Sequence, residues 1–136
     1  MIDGPARLLL VEDEQPNRAL LRAVLTRARD ERLRRATVLE AGTLAVAREA
    51  LGGNDPIDLV LLDVRLPDGS GIDLAREITG TTEARPKVLI LSASVMPQQQ
   101  AEAVAAGCDA FLAKPYRPPE LLSVLGELLG YEEPAS

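Results

Sequence analysis

The chain has 136 residues, 46% apolar and 26% charged, with 21 acidic against 15 basic side chains and a net charge of −6. That length and balance predict one globular domain with a layered core, and the acidic surplus argues against a nucleic-acid surface, which needs a basic patch. A single cysteine, Cys108, rules out an internal disulfide, no apolar run nears the roughly 20 residues of a membrane span, and no signal-peptide pattern opens the chain, so a cytoplasmic protein is expected.

Phe111, Tyr116 and Tyr131 are the only aromatics, so the core is expected to be aliphatic. Arg7–Val11 is a short apolar run, expected as a buried parallel strand. A helix follows from Gln15 to about Arg29, carried by Leu20, Val24 and Ala28 with Leu21 and Leu25; Pro16 suits its first turn. Arg32, Arg34 and Arg35 cluster beyond it as a solvated helix end. Ala36–Glu40 is the expected second strand, and Thr43–Leu51 the second helix, capped by Thr43 and stopped by Gly52 and Gly53. Asp58–Leu62 is the third strand, followed by the loop "DVRLPDGSG" and a helix from about Ile72 to Thr79. Lys87–Leu91 is the fourth strand, Pro97–Ala106 the fourth helix ended by Gly107, Ala110–Ala113 the fifth strand and Pro118–Leu129 the last helix.

Five strands, each followed by a helix, imply a parallel sheet covered on both faces, with right-handed crossovers. Met1–Pro5 and Gly130–Ser136 read as loose ends, and no linker or repeat divides the chain.

The run "LLLVEDE" poses a physical problem, because Glu12, Asp13 and Glu14 stack charge at the end of a buried strand. Two unit charges 4 Å apart repel by about 4 kcal/mol at an effective dielectric near 20, so something positive belongs there. Open parallel sheets bind ligands beyond the carboxyl ends of their strands. At those ends stand Glu12 and Asp13, then Asp63, Ser92 and Lys114. Each has an ordinary explanation alone: a solvated loop, a turn starter, a helix cap, a surface charge. Their conjunction on one rim carries the signal.

The segments "LLLVEDE", "DLVLLDVRLPDGSG", "VLILSAS" and "GCDAFLAKP" resemble the signature segments of the receiver domain of two-component response regulators, in order and at the usual spacing over about residues 7–129. The resemblance implies a single receiver domain over residues 1–136, with a tail from 130. Its fold would be flavodoxin-like, a doubly wound five-stranded α/β sheet in the order 2-1-3-4-5 with five helices. Asp63 would be the phosphoacceptor, taking a phosphoryl group from a sensor histidine kinase or a histidine phosphotransfer protein. Mg²⁺ would be held by Asp13 and Asp63, by Glu12 through water and by the backbone carbonyl of Arg65, a donor set that suits a hard cation. Lys114 would set a point charge on the phosphoryl group, Ser92 would hydrogen-bond it, and Phe111 would turn inward as Ser92 moves. The Lys114–Pro115 peptide would be cis.

The sequence departs from the commonest pattern in places. Ser92 stands where many members have Thr, and Cys108 where Ala is commoner; Arg65 and Ser94 fall at variable positions that tune phosphoryl lifetime. With no histidine, the chain takes its phosphoryl group from another protein and is no enzyme beyond assisting its own phosphorylation and dephosphorylation. The chain is expected to be either stand-alone, its opening Met1 favouring a natural start, or cut from a longer regulator.

Three other readings compete with the receiver. A pseudo-receiver kept for protein contacts is disfavoured by the complete residue set. A metal-dependent aspartyl-phosphate phosphatase needs an acid two residues after the nucleophile, where Arg65 stands. A flavin carrier would want a phosphate loop where "EDEQPN" stands.

The output surface is expected on the fourth helix, fifth strand and fifth helix, meeting a downstream protein or a second copy. Leu121, Val124, Leu125 and Leu128 are expected as the core stripe of the last helix, with Leu122 and Leu129 either extending it outward or widening the buried stripe. The fourth helix would turn Ala101, Val104 and Ala105 inward as a thin face.

Overall fold

The computed structural model describes residues 4–81, 85–93 and 96–131; Ser94 lies outside them. In chain order come β1 (Arg7–Val11), α1 (Gln15–Leu25), one helical turn (Glu31–Arg34), β2 (Thr37–Ala41), α2 (Leu44–Leu51) and β3 (Leu59–Asp63). A small hairpin (Arg65–Leu66 with Gly69–Ser70) leads to α3 (Gly71–Thr79), β4 (Lys87–Ser92), α4 (Pro97–Ala105), β5 (Ala110–Ala113) and α5 (Pro118–Leu129). The five long strands form one parallel sheet in the order β2-β1-β3-β4-β5, as expected.

Side chains alternate across a strand, so each central strand feeds two cores. Leu8, Leu10, Leu59, Leu61, Leu89 and Leu91 pack on α1 and α5 through Leu21, Leu25, Leu121 and Leu125. Leu9, Val11, Val60, Leu62, Val88 and Ile90 face α2, α3 and α4 through Leu44, Ile72, Leu74 and Ile78. Each large aliphatic side chain buried this way contributes about 1.5–3 kcal/mol before entropy is counted.

Caps set several boundaries. Thr43 accepts from Val46 N–H at the start of α2, and Ser70 accepts from Ile72 N–H at the start of α3. Asp68 adds a cap across the loop, its two oxygens 2.8 and 3.0 Å from the Leu44 and Ala45 amides. That contact ties the hairpin after Asp63 to the start of α2.

The structure corrects five expectations. α1 ends at Leu25 rather than near Arg29, because its last turn tightens: Arg27 N–H bonds Val24 O and Ala28 N–H bonds Leu25 O. Leu20 is 60% exposed, since Leu21, Val24, Leu25 and Ala28 already fill the buried face. On α5, Leu122 and Leu129 are buried in the α1 core, whereas Val124 and Leu128 are only partly buried. Those two leucines therefore widen the buried stripe and add nothing to an outer surface.

α4 is turned from the expected phase. Ala103 and Ala106 are buried, while Ala101, Val104 and Ala105 are exposed. Its far end is fixed by the Thr79 hydroxyl, which donates to Ala106 O at 2.5 Å, and by Gly107, whose φ of 85° suits glycine. Tyr131, expected in a loose end, is buried. Its N–H bonds Gly126 O at 2.7 Å and the Arg32 guanidinium lies 3.8 Å from its ring centroid. Arg32 also pairs with Asp30 and Arg35 with Glu31, so local structure accounts for this arginine cluster.

Candidate functional site

Strand order reverses between β1 and β3, and the crevice at their carboxyl ends is where a doubly wound sheet binds ligands. Glu12 and Asp13 follow β1 directly, and Asp63 is the last residue of β3. A carboxylate oxygen from each of the three lies within 4.8 Å of the others. Lys114, just past β5, brings Nζ to 3.4 Å from Asp63 Oδ2 and 3.5 Å from Glu12 Oε2. The Lys114–Pro115 peptide is cis. Ser92, at the end of β4, lines the same cleft of about 500 Å³, as does Arg65. Phe111 sits further back on β5, partly buried and in register with Ile90.

The carboxylates are not equivalent. Glu12 is 2% exposed and firmly held: Asn17 Nδ2 donates to Oε1 at 2.9 Å, and Glu14 N–H reaches the same oxygen at 3.3 Å. Arg18 binds the Glu12 backbone carbonyl at 2.6 Å and Glu40 at 2.8 Å, which locks the chain where it leaves β1. Burial pushes the Glu12 carboxyl up, but hydrogen bonds from Asp63 and Asn17 and the charge of Lys114 outweigh it and hold the group low. Asp63 moves the other way, to about 6, through burial and its contact with Glu12, with Lys114 opposing. Below about pH 6, and without a cation, the pair holds its proton on Asp63. Tyr116 is pushed up to about 12, first by burial and then by the Glu12 charge, so it stays neutral.

Such a donor set suits a hard, oxygen-seeking divalent cation. Metal binding must then displace the Asp63 proton. Calorimetry near pH 6, in two buffers of different ionisation enthalpy, is expected to show proton release with Mg²⁺, and affinity is expected to fall as pH drops below about 6. Affinity unchanged between pH 5 and 7.5 would contradict that coupling.

The model of the response regulator receiver domain matches residues 8–126. The chain belongs to the response regulator receiver domain family. Among relatives, it is 30% identical over 127 residues to the polar-differentiation response regulator DivK of Brucella anthropi, covering 93% of this chain and 98% of that protein. It is 32% identical over 130 residues to protein PetR of Rhodobacter capsulatus, covering 95% of this chain but only 51% of PetR, about half its length. The CheY-like receiver domain of Methanospirillum hungatei superposes with a TM-score of 0.78 at 24% identity, covering 93% of this chain and 95% of that one, and this speaks to the fold.

Two residues beside this receiver site were not singled out in the sequence. Asn17 lies in the first turn of α1, where its amide reaches back to the Glu12 carboxylate. Gln99, in the first turn of α4, accepts a 2.6 Å hydrogen bond from the Ser92 hydroxyl. Nothing in its polar neighbourhood, "PQQQAE", distinguishes it from Gln98 or Gln100.

Proposed function

We propose that this receiver domain, a single unit acting in the cytoplasm, carries a signal by accepting a phosphoryl group on Asp63. The donor is a sensor histidine kinase or a histidine phosphotransfer protein. The observation that carries this reading is the position of Asp63 at the β1/β3 reversal, with Lys114 3.4 Å away and two further carboxylates within 4.8 Å.

An Asp63 carboxylate oxygen forms the new bond to phosphorus, and the donor's nitrogen or oxygen leaves with the electron pair of the bond that breaks. Mg²⁺ would be held by Asp13 and Asp63, by Glu12 through water and by the Arg65 carbonyl, and when bound supplies positive charge to the phosphoryl oxygens. Lys114 has a compact ammonium already aimed at Asp63 Oδ2, from which it can move onto a phosphoryl oxygen. Ser92 presents a hydroxyl to the same cleft as the reporter of occupancy. Phe111, behind it on β5, turns inward in response.

The output surface in this reading is the face of α4, β5 and α5, offered to a downstream protein or a second copy. Its support is positional: Ser92 and Phe111 flank that face, and α4 rests on little more than Ala103 and Ala106. Arg65, two residues beyond Asp63, leaves no acid to protonate a leaving group, which speaks against a turnover phosphatase.

Incubation with a small acyl-phosphate donor and Mg²⁺ is expected to add one phosphoryl mass to the intact protein, and chelator is expected to suppress it. A chain that takes up no phosphoryl group under these conditions would be an interaction module only.

A further inference from the structure

The Ser92 hydroxyl is almost fully buried, 2% exposed, and it donates to Gln99 Oε1 at 2.6 Å. A hydroxyl carries one proton to donate and two lone pairs to accept with. The amide oxygen of Gln99 can only accept, and so can the oxygens of a phosphoryl group. One proton cannot serve both. We propose that Gln99 is a positioning residue that latches the Ser92 hydroxyl to α4, so that a phosphoryl group on Asp63 must take the proton away from it. The inference rests on the proposed phosphoacceptor chemistry and adds the residue against which that chemistry works.

The attachment of α4 gives the latch its consequence. Within the helix only Ala103 is buried, and Ala106 follows at its cap, so among the described residues of this helix no large buried side chain anchors it. A polar bond fastens it near each end. Thr79 holds the Ala106 carbonyl at the far end, and Ser92 holds Gln99 at the near end. The far fastener involves no group of the metal cleft. The near one is made by a residue that lines it. Drawing the Ser92 proton into the cleft therefore frees the first turn of α4 while its last turn stays fixed to α3. Occupancy of the cleft becomes a change at one end of one helix.

The test uses beryllofluoride with Mg²⁺ as the phosphoryl analogue, read by calorimetry, and amide exchange on the unliganded protein. Gln99→Met keeps the length of the side chain and removes the acceptor. It is expected to bind beryllofluoride about fivefold more tightly than wild type, the factor that the net worth of one neutral hydrogen bond corresponds to. Gln99→Glu, which accepts more strongly and cannot turn a donor toward Ser92, is expected to bind more weakly. In a Ser92→Ala background both effects should shrink to less than about twofold, because the latch has lost its other half. Without analogue, Gln99→Met and Ser92→Ala should each speed exchange at the Gln99 and Gln100 amides, and the double variant no more than either alone.

Equal effects of Gln99→Met with and without Ser92 would overturn the latch, leaving Gln99 a surface contact. Weaker analogue binding in Gln99→Met would also overturn it, since the amide would then support the bound state. A wild-type protein that binds no beryllofluoride would instead remove the phosphoacceptor reading and the competition with it, whatever exchange at α4 shows.

Discussion

Asp63→Asn is expected to abolish the phosphoryl adduct and, in the metal-free protein at pH 7.5, to raise the melting temperature by several degrees. The first effect follows from the nucleophile, because an amide offers no carboxylate oxygen to phosphorus. The second follows from electrostatics. Burial and Glu12 push the Asp63 carboxyl from 3.8 to about 6, so folding favours its protonated form. A group raised in the folded state stabilises fully below its unfolded value and loses that contribution as pH climbs through the folded one. The wild type therefore carries the whole penalty at pH 7.5, at most about 3 kcal/mol by the usual conversion. Glu12 is shifted the opposite way and offsets part of it, so the net gain lies below that ceiling, at several degrees for a chain of this size. The side chain is 15% exposed, so solvent screens little of this. An asparagine carries no charge and can still donate to Glu12. The gain should fade near pH 4, where Asp63 is already protonated, and shrink with Mg²⁺, which compensates the charge in the wild type. A variant that melts lower than wild type at pH 7.5 would contradict this account.

The rim residues were legible because their chemistry is written at strand ends. An apolar run of five residues can only end where its apolar residues stop, and Glu12, Asp63, Ser92 and Lys114 each stand at such a stop. Strand boundaries still moved by a residue: β3 extends through Asp63 and β4 through Ser92, since ladder pairing continues as long as a neighbour matches it. What could not be read was rotational phase where side chains are small or plentiful. In α4 the candidate contacts are nearly all alanine, so no large side chain selects a face, and the Thr79–Ala106 contact together with packing on α3 decides. In α5 there are more leucines than one stripe needs, and the neighbouring α1 takes Leu122 and Leu129. Tyr131 was hidden for a third reason. Its burial depends on Arg32, a hundred residues away in sequence, and on the left-handed Gly130 that turns the chain back. Asn17 and Gln99 were hidden differently: their partners, Glu12 and Ser92, lie only five and seven residues away, but which polar side chain of a first helical turn reaches back is settled by how that helix leaves its strand.

Gly71→Ala is expected to destabilise the fold by about 3 kcal/mol or more, lowering the melting temperature by roughly 10 °C, and to disturb Asp63 directly. The requirement here is space rather than backbone freedom, because Gly71 is not among the glycines with positive φ. It is the first residue of α3, its N–H bonds Val64 O at 2.8 Å, and it closes the loop that begins at Asp63. A methyl group on its Cα would run into the backbone carbonyl oxygen of Asp63 and lie 3.1 Å from Leu62 Cγ. Neither side can yield cheaply. β3 is paired on both edges at the centre of the sheet, and α3 is pinned by buried Ile72, Leu74, Ala75 and Ile78. Forcing one extra carbon into such a contact costs about 1–3 kcal/mol in ordinary cores, and a backbone obstacle puts this site at the upper end. The strain falls on the peptide that orients Asp63, so phosphoryl uptake well below the melting point should drop as well. Gly52→Ala is the control: its new methyl would sit 3.4 Å from Arg48 O at the end of α2, with φ at −82°, and should change melting by no more than about 2 °C. If Gly71→Ala melts as close to wild type as Gly52→Ala does, the tight approach of α3 to Asp63 is not what holds this carboxylate in place.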